Sequence, residues 1–116
     1  MKALFVLNAP PYGSEHTYNG LRFAGALAKR EHNEVRIYLI GDAVGAAKQG
    51  QKVPQGYYDI GHMLDAVIRR KGAVAACGTC IDARGIADTD LVQGAQRSNM
   101  DILADWTEWA DKVLVF

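Results

Sequence analysis

The 116-residue sequence has few of the features that define secreted and membrane proteins. It has only two cysteines, Cys77 and Cys80, which are too few for the disulfide framework of a secreted scaffold. No apolar run approaches the roughly 20 residues that a membrane span needs, and the N-terminal run from Ala3 to Leu7 is too short for the core of a signal peptide. These absences predict a cytoplasmic protein that does not act at a membrane.

The sequence also has no excess of charge and no run of like charges. Lysine and arginine together number 13, aspartate and glutamate together number 13, and the formal net charge is zero. A nucleic-acid or anionic-membrane partner is therefore not expected, because both require a basic surface. A neutral surface opposes self-association only weakly, which is compatible with a homo-oligomer.

The length and composition are those of a single globular domain over residues 1–116. Hydrophobic residues make up 49% of the chain and charged residues 22%, which is ordinary for a folded protein and excludes intrinsic disorder. A chain of this size buries about two thirds of its surface on folding. No disulfide or metal is needed to stabilise such a core.

Strand-like and helix-like segments alternate along the chain. Five segments are predicted as strands, the first of them central: 3–7, 35–40, 73–76, 90–92 and 112–116. Five segments are predicted as helices, with Gly13 or Ser14, Asp42, Asp59 and Ser98–Asn99 as start signals: 14–29, 43–48, 59–71, 80–84 and 98–110. This alternation predicts a single-domain α/β fold, with a mainly parallel sheet and helices on both faces in a Rossmann-like three-layer arrangement.

The two cysteines follow the third predicted strand, with Gly78 and Thr79 between them. Ligands of open α/β sheets bind at the carboxyl ends of the strands. A thiol at a helix N-terminus is stabilised as thiolate, so Cys80 is the predicted nucleophile and Cys77 is either a second thiol or a small core residue. Arg84 is expected to add positive charge or to pair with Asp82 or Asp88.

Other kinds of site that these residues could form are less well supported by the sequence. A zinc site needs two further ligands, and none of His16, His32 and His62 has finger or ribbon spacing, so no metal is predicted. The pair lies too late in the chain for a thioredoxin-like protein. The loop after the first strand has one glycine and no lysine, so it matches no phosphate-binding motif. Asn8, which follows that strand, is a candidate to border the cysteine site.

Five short motifs, which follow one another along the chain in the order expected of the family, resemble the DsrE/DsrF-like family, which includes the TusD sulfur-relay subunits and the YchN-type proteins. The most specific is Cys-Gly-Thr-Cys-Ile-Asp-Ala-Arg-Gly at 77–85, and the others are Pro-Pro-Tyr-Gly at 10–13, Gly-Asp-Ala-Val at 41–44, Gly-Gln-Lys-Val-Pro at 50–54 and the ending 103–113. Together they span nearly the whole chain.

The resemblance implies a five-stranded, mainly parallel sheet, assembly into homotrimers or hexamers, and a cysteine that accepts sulfane sulfur as a persulfide and passes it to a partner protein. That role is carried onto Cys80, with Cys77 as a resolving thiol. Asn8, Gly78, Thr79 and Arg84 are predicted as binding residues, and no cofactor is predicted. Two alternatives stay open. One is a thiol-redox or metal-responsive module that uses the Cys-x-x-Cys pair, and the other is a non-enzymatic oligomeric module that binds a ligand or protein.

Overall fold

A computed structural model describes residues 1–116. Its five strands are β1 (Lys2–Leu7), β2 (Glu34–Leu39), β3 (Ala73–Cys77), β4 (Ala95–Ser98) and β5 (Lys112–Val115). Its four α-helices are α1 (His16–Ala28), α2 (Ile60–Arg69), α3 (Gly78–Ala83) and α4 (Met100–Trp109). Short 3-10 helices cover Gly41–Ala47 and Asp88–Asp90.

All five strands run parallel in the order β4-β3-β2-β1-β5. The chain moves outward from β1 to β4, and α4 then carries it back across the sheet to β5. Because crossovers between parallel strands are right-handed, this reversal places α4 on the face opposite α1 and α2. The predicted α/β fold is confirmed. β2, rather than β1, is the central strand, since β5 returns to the far side of β1.

The core lies mainly between the sheet and the α1–α2 layer. Phe5 of β1 is fully buried and packs against Phe23 of α1, with ring centroids 5.4 Å apart. α1 approaches the sheet closely at Gly20, where an added Cβ would lie 2.6 Å from the side chain of Leu7. The opposite face is covered more thinly, because no residue of α4 is fully buried. There Trp106 packs edge-on against Tyr38, with centroids 6.2 Å apart.

Two helix starts agree with the sequence signals, whereas the signal at Asp42 and the strand predicted at 90–92 do not hold. The side chains of Asp59 and Asn99 accept hydrogen bonds from the first turns of α2 and α4, as capping residues do. Asp42 is not a cap, because it lies inside the 3-10 helix and its carboxylate is bound elsewhere. Residues 90–92 do not form a strand of the sheet. The fourth strand is 95–98, and Leu91 makes only an isolated antiparallel bridge with Lys48.

Candidate functional site

The carboxyl ends of three neighbouring strands form the candidate site. Cys77 is the last residue of β3, Ser98 is the last residue of β4, and the two are paired in register. Gly41 follows the end of β2 and begins the first 3-10 helix. Such strand ends are where ligands of open α/β sheets bind, so the position of the cysteine pair agrees with a functional role.

The two thiols are in direct contact. Cys77 is buried and Cys80 is half-buried, neither is in a disulfide, and their Sγ atoms lie 2.6 Å apart. A disulfide has an S–S length of about 2.05 Å, so oxidation of the two thiols, with loss of both hydrogens to an oxidant, needs only a small movement of the side chains. The pair can therefore act as one chemical unit.

Cys77 carries the stabilised thiolate. Its Sγ lies at the N-cap of α3, where it accepts a hydrogen bond from the Cys80 backbone N–H at 3.4 Å and contacts Thr79 Oγ1 at 3.3 Å. Burial opposes ionisation, but hydrogen bonds from the Cys80 thiol, from Thr79 and from the backbone outweigh it and lower the pKa of Cys77. The thiolate of the pair therefore belongs to Cys77.

Cys80 lies in a less favourable position for ionisation. Burial and the neighbouring Cys77 raise the pKa of the Cys80 thiol, although the Gly41 backbone N–H donates to its Sγ at 3.2 Å. The sequence pattern placed the helix start at Cys80, whereas α3 begins at Gly78, so Cys77 is the cap and Cys80 is the third helical residue. The helix boundary therefore favours ionisation of Cys77 over Cys80, whereas the sequence pattern favours Cys80.

Arg84 joins the cysteine helix to the turn after β2. Its guanidinium donates to Asp42 Oδ1 from Nε at 3.1 Å and from Nη2 at 2.6 Å, and Nη1 donates to the carbonyl of Cys80 at 3.0 Å. The expected pairing with Asp82 or Asp88 is wrong, because a residue 42 positions earlier supplies the carboxylate. Arg84 therefore holds α3 in place beside Gly41.

The partner of Asp82 and Asp88 is Arg97, which the sequence reasoning missed. Arg97 of β4 donates to both oxygens of Asp82 at 2.7 and 2.8 Å and to Asp88 at 3.3 Å. Its guanidinium lies against Gly78, where an added Cβ would be 2.9 Å from Cζ. Gly78 has no positive φ, so a side chain at this position is limited by space beside the flexible Arg97 side chain rather than by backbone strain.

Replacing Arg97 with glutamine should lower the free energy of unfolding at neutral pH and have no such effect in acid. Arg97 holds the pKa of Asp82 below its usual value of 3.8, so the stabilisation is present above pH 3.8 and is lost as the pH falls through the lower folded-state value. Urea titrations of both proteins between pH 7 and pH 2 measure the difference. Arg69→Gln removes an ion pair with Asp65 at the same distance of 2.7 Å, in which the arginine is more exposed, and is the control. A constant difference across this pH range would contradict the prediction.

A cleft of about 370 Å³ opens beside Cys77. Seven residues line it: Cys77, Gly78, Thr79, Arg97, Ser98, Asn99 and Met100. Cys80 contacts Cys77 Sγ and Arg84 contacts the Cys80 carbonyl, but neither residue lines the cleft. Of the predicted site residues, Cys77, Gly78 and Thr79 border it. Asn8 does not, because its exposed side chain bridges the ends of β1 and β5 by donating to the Phe116 carbonyl at 3.2 Å.

Other surfaces of the molecule offer less chemistry. A depression of about 560 Å³ runs along α2 between His62 and Arg70, but no cysteine or serine borders it. No group of three or more histidine, cysteine, aspartate or glutamate side chains is arranged to hold a metal ion. None of the helices combines the length and the apolar character required to cross a lipid bilayer.

This is an α/β protein with an all-parallel sheet and a pair of contacting thiols at the end of one strand. The chain belongs to the DsrE/DsrF-like family, whose family model matches residues 1–116. It is 43% identical over 116 residues to the protein YchN of Escherichia coli strain K12, covering 99% of this chain and 98% of that protein.

Two solved structures show the same fold. The crystal structure of the E. coli ychN protein superposes with a TM-score of 0.94 at 41% identity, over 100% of this chain and 99% of that one. The structure of a protein of unknown function, MTH1491 from Methanobacterium thermoautotrophicum, superposes with a TM-score of 0.72 at 14% identity, over 96% of each chain. The family and fold expected from the short motifs are confirmed.

Proposed function

We propose that this protein accepts sulfane sulfur as a cysteine persulfide and passes it to a partner protein. The observation that carries the proposal is the contact between two free thiols at the end of β3, with the thiolate stabilised on Cys77. Membership of the DsrE/DsrF-like family is consistent with sulfur relay. The attacking species in sulfur transfer is a thiolate, and the site provides one beside an open cleft.

We assign the acceptor role to Cys77 and the resolving role to Cys80, which exchanges the roles expected from the sequence. The Cys77 thiolate attacks the outer sulfur of a donor hydropersulfide, a new S–S bond forms, and the donor thiolate leaves with the electron pair of the broken bond. The outer sulfur keeps its proton or loses it to solvent. No external oxidant or reductant is consumed, because the S–S bond is exchanged.

The persulfide then has two possible fates. A thiolate of the partner protein attacks the outer sulfur, which moves to the partner and regenerates the Cys77 thiolate. Alternatively, the Cys80 thiolate attacks Cys77 Sγ, so that hydrosulfide leaves and a Cys77–Cys80 disulfide forms. In that case the outer sulfur is reduced to sulfide and the two thiols supply both electrons.

Intact-mass spectrometry tests the proposal directly. Reduced protein is incubated with cysteine hydropersulfide, freed of small molecules and trapped by alkylation. We expect a gain of one sulfur atom in the unmodified protein and none in the variant with Cys77→Ser and Cys80→Ser together. If neither the unmodified protein nor the Cys80→Ser variant, in which sulfur cannot leave through the internal disulfide, gains sulfur across a range of donor concentrations, the carrier function is ruled out.

A redox module is the second candidate, and the 2.6 Å separation of the two Sγ atoms favours it. Such a module forms a reversible Cys77–Cys80 disulfide without taking up sulfur. The mass of the Cys80→Ser variant separates the two, because a carrier gains one sulfur there and a redox module gains none. The mass of the unmodified protein does not separate them, since release of sulfide through Cys80 also leaves the disulfide.

The proposed partners also include further copies of the same chain, in an assembly of three or six subunits. Large apolar side chains are exposed on β5 and on α4, on the thinly covered face of the sheet and at its edge: Val113, Val115, Met100 and Ile102. Burial of such a surface between subunits is favourable, and a neutral chain opposes it little. A cytoplasmic setting is part of the proposal, because free thiols persist in a reducing compartment.

Replacing Val115 with lysine should weaken this assembly. Val115 is 66% exposed in the isolated chain, so the change costs little folding stability but places a charge in the proposed interface. Sedimentation equilibrium should show a shift toward the 12.6 kDa monomer. Tyr57→Lys, at a side chain with a similar exposure of 67%, is the control and should leave the assembly intact. An unmodified protein that is monomeric at high concentration would contradict the assembly itself.

A further inference from the structure

Ser98 has a buried hydroxyl that makes no hydrogen bond. Its Oγ and the Oδ1 of Asn33 are the buried side-chain oxygens without a partner, and Asn33 lies at the opposite end of the sheet, before β2. Buried polar groups without partners are costly, and one beside a reactive group calls for a functional explanation. Ser98 is such a group, since it is the register partner of Cys77 and lines the same cleft.

The neighbours of Ser98 do not use its hydrogen. The Tyr38 hydroxyl donates its own hydrogen to the Asn99 carbonyl at 2.9 Å. Burial, which is the largest effect, and the two nearby thiols raise the pKa of Tyr38, so this phenol stays neutral. The contact with the Ser98 hydroxyl opposes this rise only in part, and it is not a hydrogen bond of acceptable geometry. The Ser98 hydroxyl therefore has a poorly aligned contact with Tyr38 and no well-formed hydrogen bond.

The surroundings of Cys77 leave one direction for a second sulfur. Cys80 Sγ, the Cys80 backbone N–H and Thr79 Oγ1 already contact Cys77 Sγ. The open space next to Cys77 is the cleft that Ser98 and Met100 also line. Cys80 is not among the residues that line it. A sulfur atom added to Cys77 would find space in this cleft, where a rotation about χ1 would bring the buried Ser98 hydroxyl to face it.

We infer that this cleft is the binding site for the transferred sulfur, and that the Ser98 hydroxyl donates a hydrogen bond to the outer sulfur of the Cys77 persulfide. The inference rests on the proposed function. The outer sulfur, as an anion, is the acceptor that Ser98 lacks in the sulfur-free protein. Met100 also lines the cleft and is 58% exposed, so the cleft is open to solvent on that side. A donor or acceptor molecule can reach the outer sulfur from there.

The test compares four proteins that all carry Cys80→Ser, which blocks release of the sulfur through the internal disulfide. One has no further change and the others carry Ser98→Ala, Ser98→Thr or Ser14→Ala, where Ser14 is the other serine of the chain and lies before α1. Each is loaded with cysteine hydropersulfide, and the outer sulfur is followed by alkylation and intact mass as a function of pH and time.

We expect Ser98→Ala to raise the pH at which the outer sulfur becomes reactive by about one unit and to shorten its lifetime about tenfold, since a hydrogen bond to an anion is lost. Ser98→Thr keeps a hydroxyl and should behave as the parent does, as should Ser14→Ala. The pH profile of Cys77 alkylation in the sulfur-free proteins should not change. The melting temperature of Ser98→Ala should be equal or higher, because an unpaired buried hydroxyl is removed.

The outcomes separate this inference from the function on which it rests. A sulfur adduct whose pH profile and lifetime are the same in Ser98→Ala and the parent overturns the role of Ser98 and leaves the carrier function standing. An adduct that forms in the unmodified protein but not in any Cys80→Ser protein places the sulfur on Cys80, outside the cleft, and also overturns the inference. Absence of an adduct from the unmodified protein and from every Cys80→Ser protein overturns the carrier function and this site with it.

Discussion

Replacing Cys77 with serine should lower the rate of sulfur uptake at least about 100-fold, because a hydroxyl does not provide the thiolate that attacks the donor. Cys80 remains in this variant, but burial still disfavours its ionisation. The measurement is the initial rate of sulfur adduct formation with cysteine hydropersulfide at neutral pH, read by intact mass.

Cys80→Ser is the matched variant and should behave in the opposite way. Cys77 keeps the hydrogen bonds of the α3 N-terminus, so uptake continues, while the adduct persists and no sulfide is released by disulfide formation. An adduct lost in Cys80→Ser and retained in Cys77→Ser would return the acceptor role to Cys80. Circular dichroism of both variants establishes that the comparison is made on folded protein.

Replacing Phe5 with alanine should cost about 3–5 kcal/mol of folding free energy, which is the usual range for a buried phenylalanine. Phe5 is fully buried in β1 and its ring contacts Phe23 of α1 and stacks on Phe116, whose centroid lies 6.1 Å away. The change therefore loosens both a helix and the strand that ends the chain. With a typical total stability of about 5–15 kcal/mol, the variant should be largely unfolded at modest urea concentrations.

Phe23→Ala provides the control for this prediction. Phe23 makes the same edge-to-face contact with Phe5 but is 44% exposed, so Phe23→Ala should cost clearly less than Phe5→Ala, namely about 1 kcal/mol for the aromatic contact plus the contribution of the part of its side chain that is buried. Urea titrations followed by circular dichroism give both values. Equal costs at the two positions would mean that the cavity left at Phe5 collapses, contrary to the tight packing of this layer.

Most of the fold follows from local patterns, and the exceptions have a common cause. Helix α2 was predicted almost to the residue, because an apolar stripe and an N-terminal Asp59 agree with each other. β4 was placed five residues too early, since Asp90-Leu91-Val92 is more apolar than Ala95–Ser98. β4 is an edge strand with exposed polar side chains, and its position depends on pairing with β3, which local composition does not report.

The candidate site was predictable in its cysteines but not in its supporting contacts. The Cys-x-x-Cys spacing after a small-residue strand indicated both the site and its thiol chemistry. The partners of Arg84 and Asp82 depend on which strand ends meet in space, so Asp42 and Arg97 had no signal at short range. Ser98 was seen only as a helix start, because its pairing with Cys77 becomes visible only in the sheet register.

The close approach of Arg97 to Gly78 links two positions that are 19 residues apart in the sequence. A side chain at 78 would push the flexible guanidinium of Arg97 aside and so weaken its contact with Asp82, whereas a shorter residue at 97 would leave room for one. The two positions should therefore vary together during evolution. In DsrE/DsrF-like chains that carry a larger residue between the strand-end cysteine and its helix, we expect arginine to be absent from the facing edge strand.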